Sequence, residues 1–478
     1  MTTNSSRALP SRRAVLTGAV AAAGAAAAAP LLVARPAGAD IDLPGDFPVG
    51  PPPLAQSPDA ELRAMLREVD PARIEATIRR LVAFGTRHTL SSQTDPQRGI
   101  GAARDWLFDQ YQQVAATSDG HLTVEKQSYV QGPGVRIPSD TVITNIVATL
   151  HGSSGTARTY VVSGHYDSRI TDVMNFTDDA PGADDDASGV AVALELARVM
   201  ATHRPAATIV FAAVAGEEQN IYGSTHMAQV MKDQGADVQG MFTNDIVGSS
   251  TADDGTRDPR TLRLFAEGVP TSETPAQASV RQSVGGESDS PARQLARFVR
   301  EVGDNGATGM NVRVVYRRDR YLRGGDQIPF LQQGFPAARF TEPHENFNHE
   351  HQDVRVENGV QFGDLPQFCD FDFIAGVARV NGAALWSLAA GPSTPKNAGI
   401  ITTNLTNETQ LVWDHSADAA RYDVVYRETT APEWEHAINV GDVTTTIVDI
   451  SKDNVFVGVR AVDSAGRHSP AAFPVPKS

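Results

Sequence analysis

The chain has 478 residues, 41% hydrophobic and 21% charged, which is enough apolar material for more than one core and too much for wholesale disorder. A formal net charge of −16 argues against a nucleic-acid partner, because phosphate binding wants a basic face. Cys369 stands alone, which excludes an internal disulfide and a cysteine-rich zinc site.

At the N-terminus, Ser11-Arg12-Arg13-Ala14-Val15-Leu16 precedes an alanine- and glycine-rich run over 17–33, and Ala37-Gly38-Ala39 fits a small-residue cleavage site. Paired arginines before a mildly apolar stretch read as a twin-arginine export signal over 1–39, cleaved to leave Asp40 first. A membrane anchor would want about 20 strongly apolar residues, and this run is mostly alanine. No later segment reads as a span. The mature chain is therefore expected to lack an integral membrane segment and to be secreted, periplasmic or held at the cell surface.

Residues 40–57 carry Pro44, Pro48 and Pro51-Pro52-Pro53 and read as a linker. Helical periodicity follows over 71–84 (Ile74, Ile78, Leu81) and over 101–115 (Ala103, Trp106, Leu107, Tyr111). Two β-rich runs, 144–150 and 159–163, flank a glycine/serine turn and read as neighbouring strands. The 190–200 segment is apolar all round, the mark of a covered helix. Residues 208–215 form a continuous apolar run suited to a central strand. Ser290-Pro291 opens another helix that Gly303 can end. This alternation predicts an α/β fold: a three-layer α/β/α sandwich with a mainly parallel mixed sheet, spanning 58–391.

After a second linker at 392–400 the pattern changes to short alternating strands around 411–413, 422–427, 444–448 and 455–462. That spacing predicts a small β-sandwich over 401–478. Trp413, Tyr422 and the closing Val459-Arg460-Ala461-Val462 resemble a fibronectin type III domain. Positioning, stability or contact with a cell surface or polymer are the roles expected of it. On that reading, deleting 394–478 leaves hydrolysis of small substrates largely intact.

The chemistry lies in dispersed groups: His165, Asp185, Glu218, Asp245 and His349, a nitrogen/oxygen set suited to a pair of divalent metals, zinc above all. Glu217 adds a free carboxylate beside one of them, as metal-assisted hydrolysis requires. Singly, each has a bland explanation: a hydrogen-bonded histidine, a solvated aspartate turn or cap, exposed acids, a polar loop. Together they are harder to dismiss. His165, Glu217, Glu218 and Asp245 each follow an apolar run, and ligands gather at the carboxyl ends of parallel strands. Asp167 can accept from the second nitrogen of His165. Three consecutive aspartates at 184–186 would repel one another near a buried edge unless a cation were present.

The segments Gly164-His165-Tyr166-Asp167-Ser168, Gly182-Ala183-Asp184-Asp185-Asp186, Gly216-Glu217-Glu218, Asn244-Asp245, and His349 four residues before Asp353 closely resemble metallopeptidase family 28. That family includes secreted bacterial leucyl-type aminopeptidases, glutamate carboxypeptidases and glutaminyl cyclases. The resemblance, over roughly 70–390, implies two Zn2+ bridged by Asp185, one completed by His165 and Asp245, the other by Glu218 and His349. It implies Glu217 as general base, Asp167 orienting His165, and a peptide substrate. His351 is an alternative to His349, whose spacing to Asp353 matches the family. Tyr321 and Arg323 are candidates for contacting substrate. An aminopeptidase is the leading expectation; a carboxypeptidase, a glutaminyl cyclase and a non-catalytic surface-binding protein are the alternatives.

Overall fold

Capping chemistry starts the first helices. In α1 (Ala60–Glu68) the Asp59 carboxylate accepts the Leu62 N–H at 2.8 Å, and Leu62, Met65 and Leu66 are buried at helical spacing. Asp70 does the same for α2 (Pro71–Val82), accepting from Ala72, with Pro71 in the first turn where its missing N–H is harmless. α3 (Ile100–Ala115) buries Ala103, Leu107 and Tyr111. The computed structural model describes residues 51–403 and 405–478, all within one unit that begins at Phe47. The expected export signal over 1–39 and residues 40–50 of the expected linker lie outside the described residues.

Strands β1 (Leu122–Gln131), β2 (Thr141–Leu150) and β3 (Arg158–His165) are followed by α4 (Gly189–Met200), β4 (Thr208–Val214), α5 (Tyr222–Asp233) and β5 (Asp237–Asn244). Then come β6 (Thr261–Phe265), α6 (Pro275–Val284), α7 (Pro291–Gly303), β7 (Asn311–Val315), α8 (Gln327–Gln332) and β8 (Ala337–Thr341). A hairpin of β9 (Arg355–Glu357) and β10 (Val360–Phe362) leads into the long helix α9 (Phe371–Ala390). The eight strands run in the order β1-β2-β4-β3-β5-β8-β6-β7, parallel at the centre from β4 to β8.

β4 shows why this sheet is covered twice. Ile209, Phe211 and Ala213 join one apolar core with α1 to α4, α7 and α9; Val210, Ala212 and Val214 join a second with α5 and α8. Period-two alternation with both sets apolar is the three-layer α/β/α arrangement expected from the sequence. α7 also follows expectation: Ser290 accepts the Arg293 N–H at 3.1 Å, and the helix ends at Gly303. α9 is long and apolar enough to cross a membrane, but it is buried here as a core helix against α2, α4 and α7.

One sequence expectation is corrected. β2 and β3 are not neighbours, because β4 lies between them. The glycine/serine turn does not reverse the chain onto the adjacent line. Its Ser153 and Ser154 N–H groups bond Pro205 and Ala206 carbonyls at 2.9 and 3.2 Å, docking the turn on the segment that enters β4. β3 then pairs in parallel with β4 through the α4 crossover.

The C-terminal region consists of a four-stranded sheet and a three-stranded sheet. Their strands are β11 (Gly399–Ile401), β12 (Thr409–Val412), β13 (Arg421–Glu428), β14 (His436–Gly441), β15 (Thr445–Val448), β16 (Val455–Val462) and β17 (Val475–Lys477). Leu411, Trp413, Tyr422, Val424, Val457 and Val459 form their shared core. β11 opens inside the segment read as a second linker. Residues 51–57 form no helix or strand, but they are tied down: Pro51 accepts from Ala437 N at 2.9 Å, and Gln56 bonds Glu301 and His468.

Candidate metal centre

Three parallel strands deliver the site. His165 is the last residue of β3, Glu217 and Glu218 follow β4, and Asp245 follows β5. Because β3 lies between β4 and β5, with His165 opposite Val214 and Ser163 opposite Thr243, the three exits sit side by side. This is the carboxyl edge, where an open α/β sheet collects its ligands.

The aspartate triplet is sorted by its hydrogen bonds. Asp364 accepts the Asp184 and Asp185 N–H groups at 2.7 and 2.8 Å and fixes the loop from outside. Asp186 turns inward, accepting His165 N at 2.8 Å and Gly189 N at 3.0 Å, so it joins β3 to the start of α4. Asp184 accepts Gly248 N at 2.6 Å. Gly189 has no room for a side chain: a Cβ there would stand 2.1 Å from the Asn244 carbonyl oxygen. Arg87, wholly buried, donates to the Tyr166, Pro181 and Gly182 carbonyls at 2.6–2.8 Å and clamps the two loops together. Burial lowers its pKa to about 10.

What remains free is Asp185, and both its oxygens face imidazoles. Oδ1 is 3.0 Å from His165 Nε2, and Oδ2 is 2.6 Å from His351 Nε2. Each imidazole meets a second carboxylate: Asp245 Oδ1 at 3.9 Å from His165 Nε2, and Glu218 Oε1 at 3.2 Å from His351 Nε2. The result is two half-sites sharing Asp185.

His349 does not take part in this cluster. Its ring stacks on Phe368 at 3.5 Å between centroids, and burial lowers its pKa. Spacing to Asp353 favoured His349, but in this structure it is His351 that stands beside Asp185 and Glu218. The chain turns between them, with His351 in the left-handed region at φ 53°, and that bend presents the second ring to Asp185.

Around this core, Asp167 accepts the Glu218 N–H at 3.1 Å and the Glu217 N–H at 3.3 Å, linking the ends of β3 and β4. Its carboxylate stands 3.7 Å from His165 Nδ1, and its own carbonyl is nearer at 3.2 Å, so backbone and side chain together orient that ring. Two arginines that sequence reasoning missed hold ligand candidates. Arg169 donates to Glu218 Oε2 at 2.7 Å. Arg339, fully buried on β8, meets Asp245 Oδ2 at 2.5 Å and donates to the Asp245 carbonyl at 3.0 Å. An arginine inside the apolar run Ala337-Ala338-Arg339-Phe340 was the available signal. Tyr321 is 77% exposed on the surface, whereas Arg323 is engaged by Glu345 and Glu350.

Protonation follows this crowding. Burial by itself would lower both histidines, yet Asp186, Asp167 and Asp185 raise His165, and Glu218 with Asp185 raises His351 to about 10. Burial and the carboxylates of Asp245, Asp326 and Glu218 hold Glu217 well above the usual carboxylate range, against the opposing pull of His165. The donor set fits a metal. Glu218 Oε1 and His351 Nε2 are buried and make no well-formed hydrogen bond. The cluster His165, Asp185 and Asp245, and a second around Asp185 and His351, each bring donor atoms within 4.8 Å of one another. Imidazole nitrogen and carboxylate oxygen are zinc donors, and both are present in each half-site.

Known proteins resemble this chain closely. Residues 145–356 match the model of Peptidase family M28. A "Probable zinc metalloprotease" of Pyrenophora tritici-repentis is 54% identical over 432 residues, covering 90% of this chain and 89% of that protein. One from Pyricularia oryzae is 54% identical over 441 residues, covering 91% and 88%. Among solved structures, the LapA aminopeptidase of Legionella pneumophila superposes with a TM-score of 0.50 at 17% identity, over 71% of this chain and 77% of that one, a likeness of fold.

Proposed function

The chain is a zinc metallopeptidase of peptidase family M28, and on that premise we propose that it is an exported two-zinc aminopeptidase removing N-terminal residues from peptides. The observation that carries this reading is Asp185 set between His165 and His351, each with its own second carboxylate, and Glu217 beside them. On this reading His165, Asp185 and Asp245 hold one ion, and His351, Asp185 and Glu218 the other. Bound zinc would supply Lewis-acid chemistry, making a water acidic and polarising the scissile carbonyl.

The chain's own residues do the rest. Glu217 takes the proton from the attacking water at its carboxylate and delivers it to the leaving amine. Its backbone N–H, held by Asp167, fixes where that carboxylate can reach. Arg169 and Arg339 orient Glu218 and Asp245 by direct contact. Export rests on the paired Arg12-Arg13 ahead of an alanine-rich run.

The test compares unblocked aminoacyl anilides with their N-acetylated forms, with and without a chelator. Cleavage of the unblocked compounds alone, lost on chelation and restored by zinc, is the expected result. Equal cleavage of the acetylated forms, or no cleavage by zinc-loaded protein, would defeat the aminopeptidase reading.

A further inference from the structure

Glu350 has no part in the mechanism above, yet it is only 8% exposed and lies against the proposed ligands. Its Oε1 engages the Arg323 guanidinium and stands 3.8 Å from His351 Nδ1. Its Oε2 is buried without a hydrogen-bond partner. Asp185, Glu350 and His351 each bring a donor atom within 4.8 Å of the others. Arg323 is anchored in turn by Glu345 at 2.6 Å, and Glu345 by Arg263 of β6 at 3.1 Å and Arg320 at 3.4 Å. A chain of ion pairs thus runs from the sheet to the loop that carries His351.

His351 needs such a mount. Its φ of 53° is a conformation a non-glycine residue holds only when its surroundings impose it. Nε2 is turned to Asp185 and Glu218, so a zinc ion held there would leave the ring's one proton on Nδ1. Arg169 Nη2 also reaches Nδ1, but a guanidinium donates and cannot accept that proton. Glu350 is the carboxylate on that side of the ring. A ligating histidine whose other nitrogen donates to a carboxylate is fixed in tautomer and orientation and is the more basic for it.

Resting on the two-zinc reading, we propose that Glu350, held by Arg323, is a positioning residue that accepts the Nδ1 proton of His351 and so sets the zinc affinity of the His351–Asp185–Glu218 half-site. The other half-site is expected to be indifferent to it.

The experiment titrates zinc into the metal-free full-length protein by calorimetry against a competing chelator. Wild type is expected to take up two ions. E350A should weaken one step by about 10- to 100-fold and leave the other unchanged. E350Q, whose amide oxygen still accepts from Nδ1, should recover most of that loss. R323M leaves Glu350 in place but loosens it, and a smaller weakening of the same step is expected. Melting of the metal-free variants guards against misfolding, and R323M keeps the test alive if E350A does not fold. Unchanged binding by E350A or R323M would overturn the proposal. So would E350Q as weak as E350A, which would make Glu350 a direct donor to the metal. A wild type binding fewer than two ions would overturn the two-zinc reading, and that result shows before any substitution is made.

Discussion

Two clusters of buried charge among the described residues contrast: in one the opposite charges are paired side by side, and in the other carboxylates predominate. Where α7 meets the C-terminal sheets, Asp289 is enclosed by Arg297 at 2.8 Å and Arg427 at 2.6 Å, with Gln294 donating at 2.9 Å. Spare N–H groups of the arginines reach the carbonyls of Ser288, Pro432 and Ala431, and Trp434 lies beside both guanidiniums. At the metal centre the carboxylates of Asp185, Glu217, Glu218 and Asp245 converge, with Arg169 engaged by Glu218 and Arg339 shared between Asp245 and Asp319. The first cluster contains its own counter-charges and is structural. In the second, the side chains between the carboxylates of Asp185, Glu218 and Asp245 are the imidazoles of His165 and His351, and carboxylates converging on imidazole nitrogens mark a cation site.

The largest expected effect breaks the second cluster functionally. E217Q should keep its zinc and lose about 10²- to 10⁴-fold in kcat, the range of a general base; retention of full turnover would remove Glu217 from the mechanism. Next, H351A should bind one zinc fewer than wild type by metal analysis, whereas H349A should keep both. The reverse pattern would reinstate His349 as ligand. At the balanced cluster, D289A strands two buried guanidiniums and should destabilise the fold by about 3–5 kcal/mol, read by denaturant unfolding. Little change would show that the junction is not a buried ion pair in solution.

The same junction revises the expectation that 394–478 is dispensable. Removing it uncovers the α7 face that carries Arg297 and Phe298, the latter packed edge-on to His468 at 5.5 Å, and a loss of soluble protein is now expected. The smallest effect concerns pH. Glu301, between His468 at 2.8 Å and Gln56, has its pKa lowered: burial opposes ionisation, but His468 and Arg460 outweigh it. A depressed carboxylate contributes stability above its unfolded pKa and loses it as pH falls through the folded value. Trp434 fluorescence should therefore report loosening on acidification below the carboxylate range, and E301Q should flatten that response.

Much of the site was legible because strand ends and acidic motifs are local. Gly164-His165, Gly216-Glu217-Glu218 and Asn244-Asp245 each close an apolar run, so period and position alone put them at one edge. His349 and His351 differ by two residues, and no periodicity says which way each ring turns; a left-handed backbone and a stack on Phe368 decided it. The β2–β3 adjacency failed for a related reason. Turn residues announce a reversal but not which strand the chain rejoins, and the docking of Ser153 and Ser154 on the entry to β4 set that.

By itself, then, the sequence determined the α/β alternation, the strand-end placement of His165, Glu217, Glu218 and Asp245, and the choice of nitrogen and oxygen donors. These follow from patterns within a few residues. Tertiary structure decided which of three aspartates faces the imidazoles, which histidine meets Asp185, and that Arg169, Arg339, Glu350 and Arg323 stand around them. Those outcomes depend on groups far apart in the chain competing for the same buried protons and oxygens. That competition is settled only when every partner has been brought to the edge of the sheet.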